Sequence, residues 1–138
     1  MKLLVDTCVW SLALRRKSGA VPSKDEQQML ASLNEGIRNG RVAIIGPIRQ
    51  EVLSGIREPA QFEKLRSSLK LFPDELLTTF HFEEAAQYFN FCRNNGVQCG
   101  PVDMLICAVA LHEGWTILTN DRGLKRCMKV LDQRAGTA

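Results

Sequence analysis

Four acidic residues are spaced so that each falls where a predicted strand ends or a predicted helix begins. They are Asp6, Glu51, Asp103 and Asp121. An aspartate after a strand is often a turn residue, and acids in the first turns of a helix interact favourably with its dipole, so each residue alone has an ordinary explanation. Four carboxylates in one cleft would instead repel one another and raise some of their pKa values unless a cation neutralised them. Taken together, these residues predict a metal site.

The donor atoms limit both the metal and the reaction. Carboxylates without histidine select hard cations, and a site with room for water and a substrate phosphate suits Mg²⁺, with Mn²⁺ as the alternative. Such a site supports phosphoryl transfer, in which one ion activates a water and a second position stabilises the leaving oxygen. The residues leave open whether one ion or two are bound.

Three apolar runs predict the strands that would hold this site, at residues 2–5, 42–45 and 115–118. None of them alternates apolar and polar residues, which is typical of parallel strands covered on both faces. Asp6 directly follows the first run, and Asp121 comes three residues after the third. Because ligands of parallel sheets bind at the carboxyl ends of the strands, we expect both acids at that edge.

Helical periods fill the intervals between these runs. Ser23 and Glu26 have the spacing of a capping box and precede apolar residues at helical spacing. Three prolines fit the first position of a helix, where a missing N–H is harmless: Pro47, Pro59 and Pro101. A further helix is predicted to carry Phe82 and Phe89 on its apolar face and to end near Asn95.

The helices that begin at Pro47 and Pro101 position the remaining acids. Glu51 falls in the second turn of the first helix, and Asp103 in the first turn of the second. Strands that alternate with helices imply right-handed crossovers. The predicted class is therefore α/β, a three-layer α/β/α fold with a central, mostly parallel sheet. At this length we expect one domain over residues 1–138.

Composition narrows the class of protein. The 18 Lys and Arg against 15 Asp and Glu give a net charge of +3, which permits a polyanionic partner without demanding one. The longest apolar run has eight residues, against the roughly 20 that a membrane span needs, so we expect no membrane association. The N-terminus lacks the apolar stretch of a secretory signal, which favours the cytoplasm.

The five cysteines form no C-x-x-C pair. They are Cys8, Cys92, Cys99, Cys107 and Cys127. An odd number without paired spacing argues against a disulfide framework and against a structural zinc site. We expect these cysteines to be reduced and mostly buried.

The four acids stand in four short motifs. These are Leu4-Val5-Asp6-Thr7 followed by Trp10, residues 48–55 around Glu51, Asp103-x-Leu105-Ile106 with Ala108, and Leu118-Thr119-Asn120-Asp121-Arg122. In residue type, order and spacing the chain resembles a PIN domain, and specifically the VapC-type toxin ribonucleases of bacterial type II toxin–antitoxin systems. The similarity spans nearly the whole chain, although Cys8 stands where the family usually has Ser or Asn.

The resemblance implies a Rossmann-like α/β/α fold in which the four acids surround one or two Mg²⁺ or Mn²⁺ ions. It implies a metal-dependent endoribonuclease that acts on RNA, with Thr119 and Asn120 as supporting residues. It also implies two protein partners: a cognate antitoxin that masks the carboxylates, and a second copy of the chain in a homodimer.

Basic and aromatic residues supply weaker predictions. Candidates for contact with the RNA backbone are Arg15, Arg16, Lys17, Arg49 and Arg122, although charged residues are more often simply solvated. We expect His112 to be buried near the end of its helix, and the two phenylalanines of the preceding helix to lie in the core or at a dimer contact.

Two other functions remain as alternatives. A module that kept the fold and bound RNA or protein without turnover has the same sequence signature. A phospho-accepting signalling domain, or a phosphatase with an aspartate nucleophile, also has Asp at a strand end. The first strand here ends in Asp6-Thr7 rather than in paired acids, which disfavours both.

Overall fold

The computed structural model describes residues 1–15, 19 and 21–136, and within them three strands and seven helices. In chain order these are β1 (Leu3–Val5), α1 (Thr7–Leu14), α2 (Lys24–Arg38), β2 (Val42–Ala43), α3 (Gly46–Leu53), α4 (Pro59–Leu69), α5 (Thr79–Asn94), α6 (Pro101–Glu113), β3 (Thr116–Leu118) and α7 (Arg122–Gly136). The predicted three-layer α/β/α fold is confirmed.

The sheet places the first strand at its centre. β1 pairs with β2 on one side and β3 on the other, and both pairings are parallel, as predicted. Leu4 is in register with Ala43 and with Ile117. The N–H of Asp6 donates to the carbonyl of Leu118 at 2.9 Å, so this ladder continues one residue beyond β1. Each strand is shorter than the apolar run that predicted it.

The predicted helix signals are confirmed. Ser23 and Glu26 form a reciprocal capping box at the start of α2, and the three prolines lie in the first turns of α3, α4 and α6. α6 crosses the core, because its residues 104–110 are all buried and the helix is apolar on every side. Among the described residues, no helix combines the length and the hydropathy that a bilayer span requires.

The sequence patterns above predict neither α1 nor α7. α7 buries Leu124, Cys127 and Leu131 at helical spacing, and it packs against α5, which also packs against α6. The signal for α7 was therefore present in the sequence as an apolar stripe, but the polar residues between these positions obscured it. This helix begins directly after Asp121, so its docking helps to position that acid.

One side-chain prediction is wrong. His112 is exposed rather than buried, and its ring packs at a tilt against Phe80 with 4.4 Å between centroids. Of the two phenylalanines predicted for the core or a dimer contact, Phe89 packs partly buried against the core, whereas Phe82 is 52% exposed, so a dimer contact by Phe82 stays a prediction. Residues 104–110 of α6 are buried on every side of the helix, so the apolar pattern does not predict which residues of its last turn are buried. That last turn is exposed to solvent.

The prediction that all cysteines are reduced is also wrong. Cys99 and Cys127 form a disulfide across a sequence separation of 28 residues, with 6.7 Å between their Cα atoms. Cys8, Cys92 and Cys107 are free. The pairing depends on the docking of α7 beside the segment that precedes α6, and no local spacing records that contact. The predicted burial of most cysteines is confirmed, since only Cys8 is partly exposed.

The capping box gives a direct test of local stabilisation. Ser23→Ala removes the oxygen that accepts from the N–H of Glu26 at 3.2 Å, and should lower the free energy of unfolding by about 1 kcal/mol. Ser32→Ala makes the same chemical change at an exposed site inside α2, where alanine is the better helix former, so it should leave stability equal or slightly higher. Urea unfolding measures both, and equal effects would contradict the capping role.

Candidate functional site

A cleft of about 560 Å³ opens at the carboxyl end of the sheet. All four predicted acids line it, together with Thr7, Cys8, Pro47, Gln50, Ser54 and Val102. The acids come from four separate segments: the end of β1, the second turn of α3, the first turn of α6 and the loop after β3. The fold therefore brings together the residues that the sequence placed at one edge.

Asp6 is held by hydrogen bonds to both of its carboxylate oxygens. One oxygen accepts from the N–H of Thr7 at 2.7 Å, which caps α1. The other accepts from the hydroxyl of Thr119 at 2.7 Å. Although Asp6 is only 5% exposed, these bonds satisfy its buried carboxylate and hold it in one orientation.

The buried Thr119 hydroxyl links two of the acidic segments. It donates to Asp6, and it accepts from the N–H of Asp121 at 3.0 Å. A single hydroxyl thus joins the end of β1 to the loop before α7, which is a physical basis for the supporting role implied by resemblance. Asn120 contributes through its backbone, whose N–H donates to the sulfur of Cys8 at 3.4 Å.

Asp121 is positioned by the start of α7. Its Oδ1 accepts from the N–H of Leu124 at 3.0 Å, as a helix-capping aspartate does. A Cβ atom added to Gly123 would lie 3.1 Å from the same oxygen. The glycine therefore leaves space that the carboxylate uses.

Thr7 positions the acid on α3. Its hydroxyl donates to Oε1 of Glu51 at 2.7 Å and so ties the start of α1 to α3. Thr7 stands in the first of the four motifs, and its sequence position alone predicts no contact with an acid. Only the approach of α1 to α3 shows that its hydroxyl reaches an acid 44 positions away.

Asp103 shows the electrostatic coupling of the cleft. Burial raises the pKa of its carboxyl, and the negative charges of Asp6, Asp121 and Glu51 raise it further, whereas a backbone hydrogen bond at Gly100 lowers it. The carboxyl therefore holds a proton more firmly than usual. A cation in the cleft would relieve the same repulsion.

The four acids of the cleft offer only oxygen donors, which suit a hard cation. In the described part of the chain, two groups of three potential ligands have donor atoms within 4.8 Å of one another, and both lie elsewhere: Cys92, Cys99 and Cys127, and His81, His112 and Glu113. The cleft carboxylates are more open than such a closed cluster. Mg²⁺ usually keeps several waters and takes only one or two carboxylates directly, so oxygen donors spread around a cleft suit it.

Cys8 lies among the site residues. Its sulfur is 3.6 Å from Oδ2 of Asp6 and 3.7 Å from the hydroxyl of Thr119. Burial raises the pKa of this thiol, which keeps it protonated beside the carboxylate. In the sequence this position differs from the family pattern, and only the structure shows its contacts with Asp6 and Thr119.

Arg49, one of the predicted RNA contacts, is bonded within the fold. The guanidinium of Arg49 donates to Asp74 at 2.8 Å, to the carbonyl of Leu69 at 3.0 Å and to the carbonyl of Phe72. These bonds hold the end of α4 and the segment after it, so Arg49 has a structural role, and a contact with RNA phosphate by Arg49 stays a prediction. Helix periodicity could not reveal this, because the partners lie 20 to 25 positions along the chain.

The other candidates have different positions. Arg15 is exposed at the end of α1, and Arg122 is exposed as the first residue of α7. Arg16 and Lys17 lie outside the described residues. Neither Arg15 nor Arg122 lines the cleft, so an RNA contact by either stays a prediction.

The raised pKa of Asp103 predicts a pH-dependent stability difference in metal-free protein. Folding favours the protonated carboxyl, so this contribution is present below the ordinary aspartate pKa of about 4 and is lost as pH rises through the higher folded value. Asp103→Asn is neutral at every pH and should be more stable than wild type at neutral pH in EDTA. The difference should shrink at about pH 3, where both side chains are neutral.

Urea unfolding at the two pH values measures this difference. The exposed Asp25→Asn on α2 is the matched control, and it should not gain stability at neutral pH. With Mg²⁺ in place of EDTA, wild type should gain more than Asp103→Asn, because a ligand that binds only the folded state stabilises it. A neutral-pH disadvantage for Asp103→Asn in EDTA would contradict the electrostatic assignment.

A side chain at position 123 is expected to weaken metal binding in the cleft. Gly123→Ala places a Cβ against Oδ1 of Asp121 and should weaken Mn²⁺ binding by about tenfold, the lower end for changes to residues that support a ligand. Gly46→Ala, at the start of α3, meets nothing within 4 Å and should leave the affinity unchanged. Isothermal titration calorimetry measures both, and unchanged affinity in Gly123→Ala would contradict the positioning of Asp121.

Comparison with known proteins identifies the family. The PIN domain family model matches residues 3–129. The crystal structure of FitAcB from Neisseria gonorrhoeae is similar in fold, with a TM-score of 0.70 and 18% sequence identity over 92% of this chain and 93% of the other. A comparison with curated proteins gives no match. PIN domains are generally nucleases and typically use divalent metal ions. The chain therefore belongs to the PIN domain family.

Proposed function

We propose that this chain is a metal-dependent endoribonuclease that hydrolyses RNA phosphodiester bonds with Mg²⁺, or with Mn²⁺ in its place. The observation that supports this most directly is the cleft itself, where four carboxylates from four segments converge. The raised pKa of the Asp103 carboxyl adds to it, because burial and, after it, the negative charges of the other three acids favour the protonated form, and a cation would relieve the charge part. RNA supplies phosphates, and divalent ions bridge carboxylates and phosphates.

In this proposal each acid has a role that depends on its position in the cleft. Asp6 and Asp103 would be the central metal ligands, Asp121 would complete a second position, and Glu51 would act as a ligand or as the base. A bound divalent ion lowers the pKa of water and neutralises charge on the phosphate. The reaction is an in-line attack of water on the phosphodiester, without a covalent enzyme intermediate.

The residues around the acids keep them in place during this reaction. The Thr119 hydroxyl orients Asp6, and the Thr7 hydroxyl holds one oxygen of Glu51, leaving the other oxygen outside that bond. If Glu51 is the base, its free oxygen would take the proton from the attacking water. A fixed carboxylate avoids reorganisation when charge develops at the phosphate.

The cellular role follows from the family resemblance. We propose that the chain is a VapC-type toxin of a toxin–antitoxin pair, acting in the cytoplasm where its RNA substrate is found. Its partners would be a cognate antitoxin that covers the cleft acids and a second copy of the chain in a homodimer. The motifs that support this are those around Asp6, Glu51, Asp103 and Asp121.

Cleavage of labelled total RNA by the purified protein tests the proposal, with Mg²⁺, Mn²⁺ or EDTA present. Loss of a residue that only supports a ligand costs about 10- to 100-fold, so Asp6→Asn should cost at least about 100-fold in rate. Asp25→Asn makes the same change on an exposed helix and should cleave like wild type. EDTA should abolish cleavage by wild type.

Two results would contradict the proposal. Cleavage that persists in Asp6→Asn would indicate a contaminating nuclease or another active site. A folded, antitoxin-free protein that binds Mn²⁺ but cuts no RNA would support the alternative, a PIN-fold module that binds RNA or protein without turnover.

A further inference from the structure

Three cysteines form a buried cluster away from the acidic cleft. Cys92 lies on α5, Cys99 in the segment before α6 and Cys127 on α7, and their sulfur atoms are within 4.8 Å of one another. Cys99 and Cys127 are bonded, and Cys92 is the free third thiol. We call these residues the thiol cluster.

The disulfide joins the two segments that carry cleft acids. Cys99 lies four residues before Asp103, and Cys127 lies six residues after Asp121. Asp103 is in the first turn of α6, and Asp121 caps the start of α7. The bond therefore restrains the relative position of two carboxylates that line the same cleft.

The two bonded cysteines differ slightly in burial. Cys99 is 8% exposed, whereas Cys92 and Cys127 are fully buried. Thiol–disulfide exchange requires access of an external reagent to one sulfur of the pair, and in this proposal that sulfur is the one of Cys99, which is the less buried of the two and lies between α5 and α6 rather than within a helix. In the cytoplasm, disulfides of this kind are usually transient rather than permanent.

We propose that the Cys99–Cys127 pair is a reversible thiol–disulfide site whose oxidation state sets the metal affinity of the cleft. The second half of this statement rests on the proposed metal-dependent function. The oxidant is a low-molecular-weight disulfide such as oxidised glutathione. The disulfide holds α7 against the start of α6, and its reduction loosens the two acids.

The exchange is balanced in two steps. The Cys99 thiolate attacks one sulfur of the external disulfide, forms a mixed disulfide and releases one thiolate. The Cys127 thiolate then attacks the Cys99 sulfur and releases the second external thiolate, which takes up a proton. Two protein thiols are oxidised, and one external disulfide is reduced to two thiols.

The oxidation state is measured first, without reference to metal or RNA. The full chain is equilibrated with reduced and oxidised glutathione at graded ratios, and differential alkylation with peptide mass spectrometry reads each cysteine. We expect Cys99 and Cys127 to be alkylated together at reducing ratios and protected together at oxidising ratios. A pair that stays bonded at every ratio, or never bonds, would overturn the proposal.

Mn²⁺ titration calorimetry on both forms then tests the coupling. Reduction should weaken Mn²⁺ binding by about tenfold, the effect expected of a residue that supports a ligand. Cys99→Ala should bind like the reduced form at every ratio, and Cys92→Ala, in the same cluster, should keep the dependence on redox state. Circular dichroism melting confirms that each variant is folded.

The outcomes distinguish a failure of the redox proposal from a failure of the proposed metal-dependent function. Equal Mn²⁺ affinity in both forms overturns the coupling and leaves the metal site intact. No Mn²⁺ binding by either form overturns the metal site and the coupling with it, whereas the alkylation result still decides whether the disulfide is reversible. If the reduced protein retains a thiophilic metal at the three sulfurs, the cluster is a metal site and the redox proposal is wrong.

Discussion

Repulsion between carboxylates at one edge of the sheet is the constraint on which the structure of the site depends. Four acids line the cleft, and the pKa of the Asp103 carboxyl is raised by burial and by the other three. Without a bound cation such a cleft lowers the stability of the folded chain, since like charges that lie close together repel one another. Its arrangement becomes favourable when a cation or a proton is bound. The stability of the metal-free fold and the proposed function therefore depend on the same residues.

The hydrogen bonds around the acids explain how the fold tolerates that repulsion. Thr119 and Thr7 each donate a hydroxyl to a carboxylate, and backbone N–H groups at the starts of α1 and α7 donate to Asp6 and Asp121. Hydrogen bonds to ionised groups are stronger than neutral ones. They hold the charges in place instead of letting them separate. The ends of parallel strands suit this task, because helices begin there and present free N–H groups.

α7 connects the cleft to the rest of the core. Its first turn holds Asp121, and its buried face carries Leu124, Cys127 and Leu131. In the proposed redox site, packing along this face would carry a change at the thiol cluster toward the loop that bears the acid. Arg49 on α3 has a comparable structural role, because it donates hydrogen bonds to Leu69 at the end of α4 and to Phe72 and Asp74 in the segment that follows. Arg49 lies only two residues before Glu51 in the sequence, yet its guanidinium stabilises the fold.

The sequence alone determined the three parallel strands, the capped helices and the four acids at one edge, because these follow from apolar runs, capping residues and local spacing. Only the tertiary structure decided which side chains support the acids and that the guanidinium of Arg49 is hydrogen-bonded within the fold. The bonds of Thr7 to Glu51, of Arg49 to Asp74 and of Cys99 to Cys127 join residues at least 25 positions apart. Local patterns carry no record of such contacts, since they form only when separate helices pack together.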